Sequence, residues 1–500
     1  MSKTNHITEY GDFQTPSILA SKMIQVLSEN NLNPSVIVEP TCGIGEILFS
    51  SIEFFRPNYA MGIEINNEYA SLARNKIDGH KNISIHTADI FSFFNNIGKQ
   101  IKPKDEILFI GNPPWVTNST LGSINSTNLP TKSNIKKLNG IEAITGKSNF
   151  DIAEYILMYL IEKYSSNSSF FAFLCKTIVA RNLLKWIWQK NIKYTESKIY
   201  PIDSMKYFSA AVDACFFTID FRVKTNKQDC LVYDSIETKN KVSTYGFYEG
   251  IIIKDLDKFQ SHNYFGKSDY IWRNGIKHDC SKIMEIDIAN NNLLNGLGET
   301  LNIEHDLLYP LLKSSDLQKE KICIRKYVLV TQRFIGEDTI YIKQKYLKTW
   351  SYLEKNRSFL ESRKSSIYKN KPQFSIFSIG DYSFSPYKIA ISGLYKNIRF
   401  VKLGCIDKKP ILVDDTCNFI PCYSDDEANL LLELLNSLEA KDFFNSVIFW
   451  DSKRPVTTEL LNRLSLSKLA VTLKKESEYN KYLMKNKNTD KINACQLSMF

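Results

Sequence analysis

Val36-Ile37-Val38-Glu39-Pro40-Thr41-Cys42-Gly43-Ile44-Gly45-Glu46 decides the reading of this 500-residue chain. A short run of β-branched residues closing on an acid predicts a buried strand. The two glycines behind it predict a tight turn into a helix, with backbone N–H groups facing a ligand at the helix N-terminus. A nicotinamide-type fingerprint wants a third small residue at position 48, where Leu48 stands. A ligand with a carboxylate tail therefore fits better than a pyrophosphate. Taken alone, Gly-x-Gly marks a plain turn more often than a cofactor.

The same texture continues on either side, over about 15–222. Ala60 to Glu64, Ile83 to His86, Ile107 to Ile110 and Phe170 to Leu174 read as further strands, and Ile152 to Lys163 as a helix. Strands separated by helix-length segments predict an α/β fold: an open, mostly parallel, doubly wound sheet with helices on both faces. Such sheets bind ligands at the carboxyl ends of their strands. Glu64 ends the second strand about twenty residues after the glycine turn, where a carboxylate accepts hydrogen bonds from ribose hydroxyls. Asp89 ends the third, placed to accept from an adenine amino group beside the apolar Ile90. Singly, each acid is equally an exposed strand-end residue; three signals at successive strand ends argue for one site.

The fourth strand delivers Gly111-Asn112-Pro113-Pro114-Trp115 to the same edge. Two prolines after a strand can serve simply to stop it. They do not account for an amide, a rigid turn and an indole together at a cofactor edge. The Asn112 side-chain oxygen and the Pro113 carbonyl suit an exocyclic amine, whose delocalised lone pair makes it a poor nucleophile until hydrogen bonds pyramidalise it. Trp115 offers a face to a planar ring.

At this point the chain resembles the gamma-type adenine-N6 DNA methyltransferases of restriction–modification systems. Tyr10-Gly11-Asp12-Phe13-Gln14-Thr15-Pro16 is similar to their N-terminal motif, and the glycine turn, Glu64, Asp89 and Asn112 to Trp115 follow in the family's order. Lys147-Ser148-Asn149-Phe150-Asp151 and Phe208-Ser209-Ala210-Ala211-Val212-Asp213-Ala214 are similar to later motifs. The resemblance implies a class I S-adenosylmethionine-dependent catalytic domain over 1–225. S-adenosylmethionine would be held by Phe13, Thr15, Pro16, Glu39, Pro40, Cys42, Gly43, Gly45, Glu64, Ile65, Asp89, Ile90 and Asn112. Catalysis would fall to Asn112, Pro113, Pro114 and Trp115, with Phe208 stacking on the flipped adenine and Tyr207 as the fallback for that role. Trp115 departs from the commoner tyrosine, keeping the ring and losing a hydroxyl.

Beyond about 225 the texture changes, and a boundary is expected at 223–245. Residues 235–475 interleave basic and aromatic side chains, which suits phosphate contact and base reading. Trp272-Arg273-Asn274-Gly275-Ile276-Lys277-His278-Asp279-Cys280, Phe374 to Phe384 and Phe449 to Pro455 are similar to recurring segments of the Taq-like specificity half of that family, with packing elements and base readers both open as their role. The expectation is an α+β target-recognition domain with Trp272, Arg273, Lys277, Arg363, Lys364 and Lys388 on DNA, although for any one of them a plain basic surface is the commoner role. His278-Asp279-Cys280 reads as a hydrogen-bonding cluster rather than a metal site or dyad. Residues 476–500 read as a polar tail, and 117–149, rich in Ser, Thr, Asn, Gly and Lys, as a loop beside the site.

Composition sets the frame. Sixty-four Lys and Arg against 54 Asp and Glu give a net charge of +10, which fits a polyanionic partner without requiring one. Ten scattered cysteines with no CxxC pair, and only six histidines, give no support for zinc. The N-terminal residues lack the apolar core of a signal peptide, and no apolar stretch is long enough to span a bilayer. A reduced, cytoplasmic protein of a bacterium or archaeon is expected, as a monomer acting on double-stranded DNA alongside a separate cognate endonuclease. Because the first motif lies so near the start, no fused nuclease is expected. A protein-glutamine methyltransferase, an RNA adenine methyltransferase and a non-enzymatic DNA-binding subunit remain the alternatives.

Overall fold

The structure is a computed structural model, and it describes residues 13–77, 81–96, 104–116, 151–289 and 292–484. These fall into two compact units divided between Asp257 and Lys258.

The first unit is built on one ten-stranded sheet. Its helices are α1 (Ser17–Ser28), α2 (Glu46–Phe55), α3 (Asn67–Asn75), α4 (Ile90–Asn96), α5 (Ile152–Tyr164), α6 (Thr177–Gln189) and α7 (Ser204–Phe208). Its strands begin with β1 (Val36–Glu39), β2 (Tyr59–Glu64), β3 (Ile83–Thr87), β4 (Ile107–Gly111) and β5 (Ser169–Lys176). They continue with β6 (Tyr194–Ile202), β7 (Ala214–Thr225), β8 (Asp229–Tyr233), β9 (Lys241–Tyr248) and β10 (Ile251–Ile253). The spatial order is β10-β9-β8-β6-β7-β5-β4-β1-β2-β3. The chain winds from β1 outward to β3 and then returns to lay β4 parallel against the free side of β1. That reversal is the topological switch point, and the crevice it opens at the carboxyl ends is where this class of sheet binds ligands. β4 and β1 are buried along their whole length, as strands covered by helices on both faces must be.

Strands 229–253 correct the expected boundary at 223–245 and extend the first unit beyond residue 225. β8 pairs parallel with β6, and β9 and β10 follow as antiparallel neighbours. They lack the helix-separated rhythm of β1–β5 because a hairpin extension needs no crossover helix. Their alternation nonetheless buries Cys230, Val232 and Tyr245.

The second unit carries a six-stranded sheet ordered Thr300–Leu301, Asn292–Asn295, Glu285–Ala289, Lys326–Leu329, Leu308–Leu312, Leu412–Val413. A four-stranded sheet is ordered Arg273–Asn274, Cys417–Cys422, Tyr387–Ser392, Val401–Leu403. Helices Asp425–Asn436 and Leu438–Val447 add to it, giving the expected mixture of helix and strand. At the start of the expected polar tail 476–484 is helical, with Tyr479 buried and its hydroxyl donating to Asp269 over 2.9 Å. Among the described residues no helix is long and apolar enough to cross a membrane.

Candidate cofactor and catalytic site

β1 ends in Glu39, whose buried carboxylate accepts from the Leu48 backbone N–H over 2.9 Å. It thereby satisfies one of the orphan donors in the first turn of α2 and ties the turn's two ends together. Burial pushes the Glu39 carboxyl well above its ordinary range. Between them the chain turns through Gly43 and Gly45, with φ of +50° and +84°. A Cβ on Gly45 would also meet the Phe49 ring at 2.4 Å, so only glycine fits there.

β2 places Glu64 under the same turn. One carboxylate oxygen accepts from the Gly43 N–H over 2.9 Å and the other from the Asn66 N–H over 2.7 Å. Asp89, at the end of β3, accepts from the Ser92 backbone and hydroxyl through one oxygen, both at 2.9 Å. Ile65 stands half exposed beside Glu64, whereas Ile90 is buried in the core. Cys42 and Pro40 are buried too, and burial pushes the Cys42 thiol up.

Residues 13–16 close the other side. The Asn112 amide nitrogen donates to the Phe13 carbonyl oxygen (2.8 Å) and to the Thr15 hydroxyl (3.2 Å). The amide of Gln14 lies where a Gly43 Cβ would be, 2.7 Å away. Pro16 starts α1, taking backbone bonds from Leu19 and Ala20. Phe13, Trp115 and Phe208 form a mutual aromatic cluster, with centroid separations of 5.3 Å, 5.7 Å and 5.2 Å for Phe13–Trp115, Phe13–Phe208 and Trp115–Phe208. Tyr207 points elsewhere, its hydroxyl donating to Glu237 over 2.6 Å. The structure thus gathers Phe13, Thr15, Asn112, Trp115 and Phe208 at one place.

Among the described residues, three buried polar atoms here have no hydrogen-bond partner: Thr41 Oγ1, Asn112 Oδ1 and Trp115 Nε1. Unpaired buried groups cost free energy, so their clustering at the switch point marks a surface built to be completed by a ligand. S-adenosylmethionine fits these residues. Glu64 offers acceptors for a ribose, the glycine turn lets backbone come close, and Thr41 holds an unspent hydroxyl.

Sequence reasoning missed Lys176. Its ammonium donates to the Trp115 carbonyl oxygen (2.8 Å) and to Asp151 Oδ2 (2.7 Å), while Asp151 caps α5 by accepting from Ala153 N–H. A single lysine at a strand end carries no motif signal. The expected motif residues 147–150, and Tyr10 to Asp12, lie outside the described residues.

Of the six residues expected on DNA, Trp272 and Lys388 are buried, which corrects their expected place on DNA, and Arg363 is half-buried and bonded to the protein's own carbonyls. Lys388 is 1% exposed, lies beside the Phe419 ring and donates to the Ser385 carbonyl. Trp272 is buried against Phe400. Arg363 stacks on Tyr368 and donates to the carbonyls of Leu360, Ser375 and His278, so its guanidinium holds loops together. Lys277 faces Asp279 and Asp415, Arg273 lies over the Tyr382 ring, and Lys364 is exposed. His278 accepts from the Cys280 N–H and faces Glu285 at 3.5 Å, a structural arrangement.

The first unit is therefore a class I S-adenosylmethionine methyltransferase fold, with an Asn-Pro-Pro-Trp segment at the end of β4. No family model matches the chain. It is 44% identical over 469 residues to the type II methyltransferase M.NspV of Nostoc sp. (strain ATCC 29411 / PCC 7524), an alignment covering 92% of this chain and 97% of that one. A shorter match, 33% identical over 114 residues, links 22% of this chain to 26% of the type II methyltransferase M.CvrRI of Paramecium bursaria Chlorella virus XZ-6E. Among solved structures, the type IIL restriction–modification enzyme MmeI in complex with DNA aligns with 89% of this chain and 64% of its own, at a TM-score of 0.53 and 12% identity. The chain belongs to the type II methyltransferase family of restriction–modification systems.

Proposed function

We propose that the protein methylates the N6 amino group of a flipped-out adenine at a specific site in duplex DNA, protecting that site from a separate endonuclease. The observation that carries this reading is the state of Asn112. Its nitrogen is committed to Phe13 and Thr15, and its buried oxygen has no partner. Leaving such an acceptor unpaired costs about 1–3 kcal/mol, which a substrate N–H would recover.

An exocyclic adenine amine is a donor of this kind. Asn112 Oδ1 accepts one of its hydrogens and the Pro113 carbonyl the other, drawing the lone pair out of the ring and stabilising the positive charge that grows on nitrogen. S-adenosylmethionine, when bound, supplies the electrophilic methyl group. The nitrogen proton becomes acidic once the methyl group is on, so no strong general base is required. Pro113 and Pro114 hold the turn fixed, so little reorganisation is left for the reaction.

Trp115 and Phe208 are the rings offered to the base. They meet edge to face at 5.2 Å, whereas a purine stacked on both sides needs roughly 7 Å between parallel rings. Admission of the base therefore moves one of them, and Phe208, on the short α7 ahead of left-handed Ser209, is the less buried.

Adenine in DNA is favoured by the order of the resembling motifs and by the second unit, which a small protein-glutamine enzyme would not need. The family membership favours DNA over RNA. The enzyme acts as a monomer in the cytoplasm, where its DNA is. Modification-sensitive sequencing of DNA from a host expressing the protein tests the proposal: N6-methyladenine at one recurrent sequence supports it, and unmodified adenine at every sequence refutes it.

A further inference from the structure

Phe208 ends α7, and the segment around it is closed on itself. Asp203 caps the helix by accepting from the Lys206 N–H over 2.9 Å, and the Ser204 hydroxyl donates to the Val212 carbonyl. Ser209, at φ +54°, stops the helix and donates its N–H to the Met205 carbonyl over 3.1 Å. A helix of five residues does not hold itself in water, so its place is set by what it is bonded to. Thr177, at the start of α6, donates its N–H to the Asp213 carbonyl over 2.9 Å and fixes the far end of the segment. The helix itself is held through a side chain: Tyr207 is 8% exposed, and its hydroxyl donates to Glu237 Oε1 over 2.6 Å.

Glu237 lies between β8 and β9, in the extension of the sheet past residue 225. The loop that carries it is braced. One Asp234 carboxylate oxygen accepts from the N–H groups of Ser235 (2.7 Å) and Asn240 (3.0 Å) and from the Thr238 hydroxyl (2.7 Å). Ile236 is buried in the core and donates its N–H to the Pro201 carbonyl over 2.9 Å, while Tyr233 stacks on Tyr200 at 4.5 Å. The Glu237 oxygen that takes the Tyr207 hydroxyl also faces Lys22 of α1 at 4.0 Å and Lys206 of α7 at 3.9 Å. A hydroxyl given to a carboxylate makes a shorter and stronger bond than one between neutral groups. A rigid loop thus grips the residue next to Phe208.

We propose that Glu237 is a positioning residue for the target base. Through the Tyr207 hydroxyl it sets where α7 carries Phe208, and so how well the slot between Phe208 and Trp115 holds a flipped purine. Trp115 is held from its own side by Lys176, so the two walls of the slot have separate supports. This rests on the reading of Phe208 and Trp115 as the rings that take the base.

The test uses the full-length enzyme and two duplexes carrying the modification site mapped from host DNA. In one the target adenine stands opposite an abasic nucleotide, so no base pair has to open. In the other the target nucleotide itself is abasic. The ratio of the two affinities reports the hold on the base, and wild type should favour the adenine duplex by roughly tenfold or more. Tyr207→Phe and Glu237→Leu should each lower that preference by about threefold or more, and the double variant no further than either alone. Glu237→Gln, whose amide oxygen still accepts from the Tyr207 hydroxyl, should keep the preference within about twofold of wild type. In a Phe208→Leu background, which lowers the preference by itself, Tyr207→Phe should change the ratio no further while still lowering the melting temperature. A wild-type ratio in both Tyr207→Phe and Glu237→Leu, even with a lower melting temperature, would make the bond purely structural and overturn the proposal. An undiminished effect of Tyr207→Phe in the Phe208→Leu background would overturn it too. Either result leaves the methyltransferase reading intact. A wild type with no preference for the adenine duplex would overturn the flipped-adenine reading and this proposal together.

Discussion

The Asn112 side-chain nitrogen donates to the Phe13 carbonyl oxygen over 2.8 Å, and the amide oxygen beside it is buried without a partner. The first bond fixes the second atom. Phe13 O is an acceptor only, so the amide cannot rotate to turn its nitrogen toward the substrate. Replacing Asn112 with Ala removes the acceptor and the tether to residues 13–15 together. Methyl transfer should fall by about 10³-fold or more, while DNA binding and cofactor binding, measured by calorimetry, stay within a few-fold of wild type. Normal turnover in Asn112→Ala would remove Asn112 from the chemistry.

Lys176 is a positioning residue, acting through the carbonyl of Trp115. Lys176→Met should lower kcat by roughly 10–100-fold with little change in cofactor affinity. It should also destabilise the first unit, because the largely buried Asp151 loses its counter-charge. Adding Asp151→Asn should restore much of the melting temperature but not kcat. Recovery of both together would mean that Lys176 is only a structural ion-pair partner.

Gly45→Ala places a Cβ against the Phe49 ring at a φ of +84°. Strain of about 1–2 kcal/mol is expected from the backbone alone. Cofactor affinity should therefore fall by about tenfold, and trimming Phe49 to Ala should not restore it, because the left-handed backbone remains. Full rescue by Phe49→Ala would show that contact, not conformation, demands glycine.

Lys388 gives a pH-dependent prediction. Burial pushes its ammonium down from the usual lysine range to about 7. Between that value and the ordinary pKa near 10.4, the unfolded chain binds the proton and the folded chain does not, so stability rises with pH across this window. The full cost of burying the charge is present below pH 7 and fades as pH approaches 10. Lys388→Met should raise the melting temperature by roughly 5 °C near pH 7, and the gain should shrink toward zero by pH 10. A gain independent of pH would mean that packing rather than charge is responsible.

Much of the catalytic unit was legible because its physics is local. β1 to β5 announce themselves as short β-branched runs, and their carboxyl ends carry Glu39, Glu64, Asp89 and Asn112 in order. What was illegible depends on partners far along the chain. Lys388 and Arg363 read as surface cations, yet one lies beside the Phe419 ring and the other holds three carbonyls. Trp272 was expected on DNA, with packing as the alternative, and it is core. β8 to β10 carry no crossover helices, so nothing in their sequence tied them to β6.

The central claim is the identity of the methylated atom. Purified enzyme is incubated with unmethylated duplex DNA and S-adenosylmethionine labelled in its methyl group, and the DNA is digested to nucleosides and separated by chromatography with mass detection. The label should elute wholly as N6-methyl-2′-deoxyadenosine. Label in a methylated cytidine, or label in RNA or protein with none in DNA, would contradict the account.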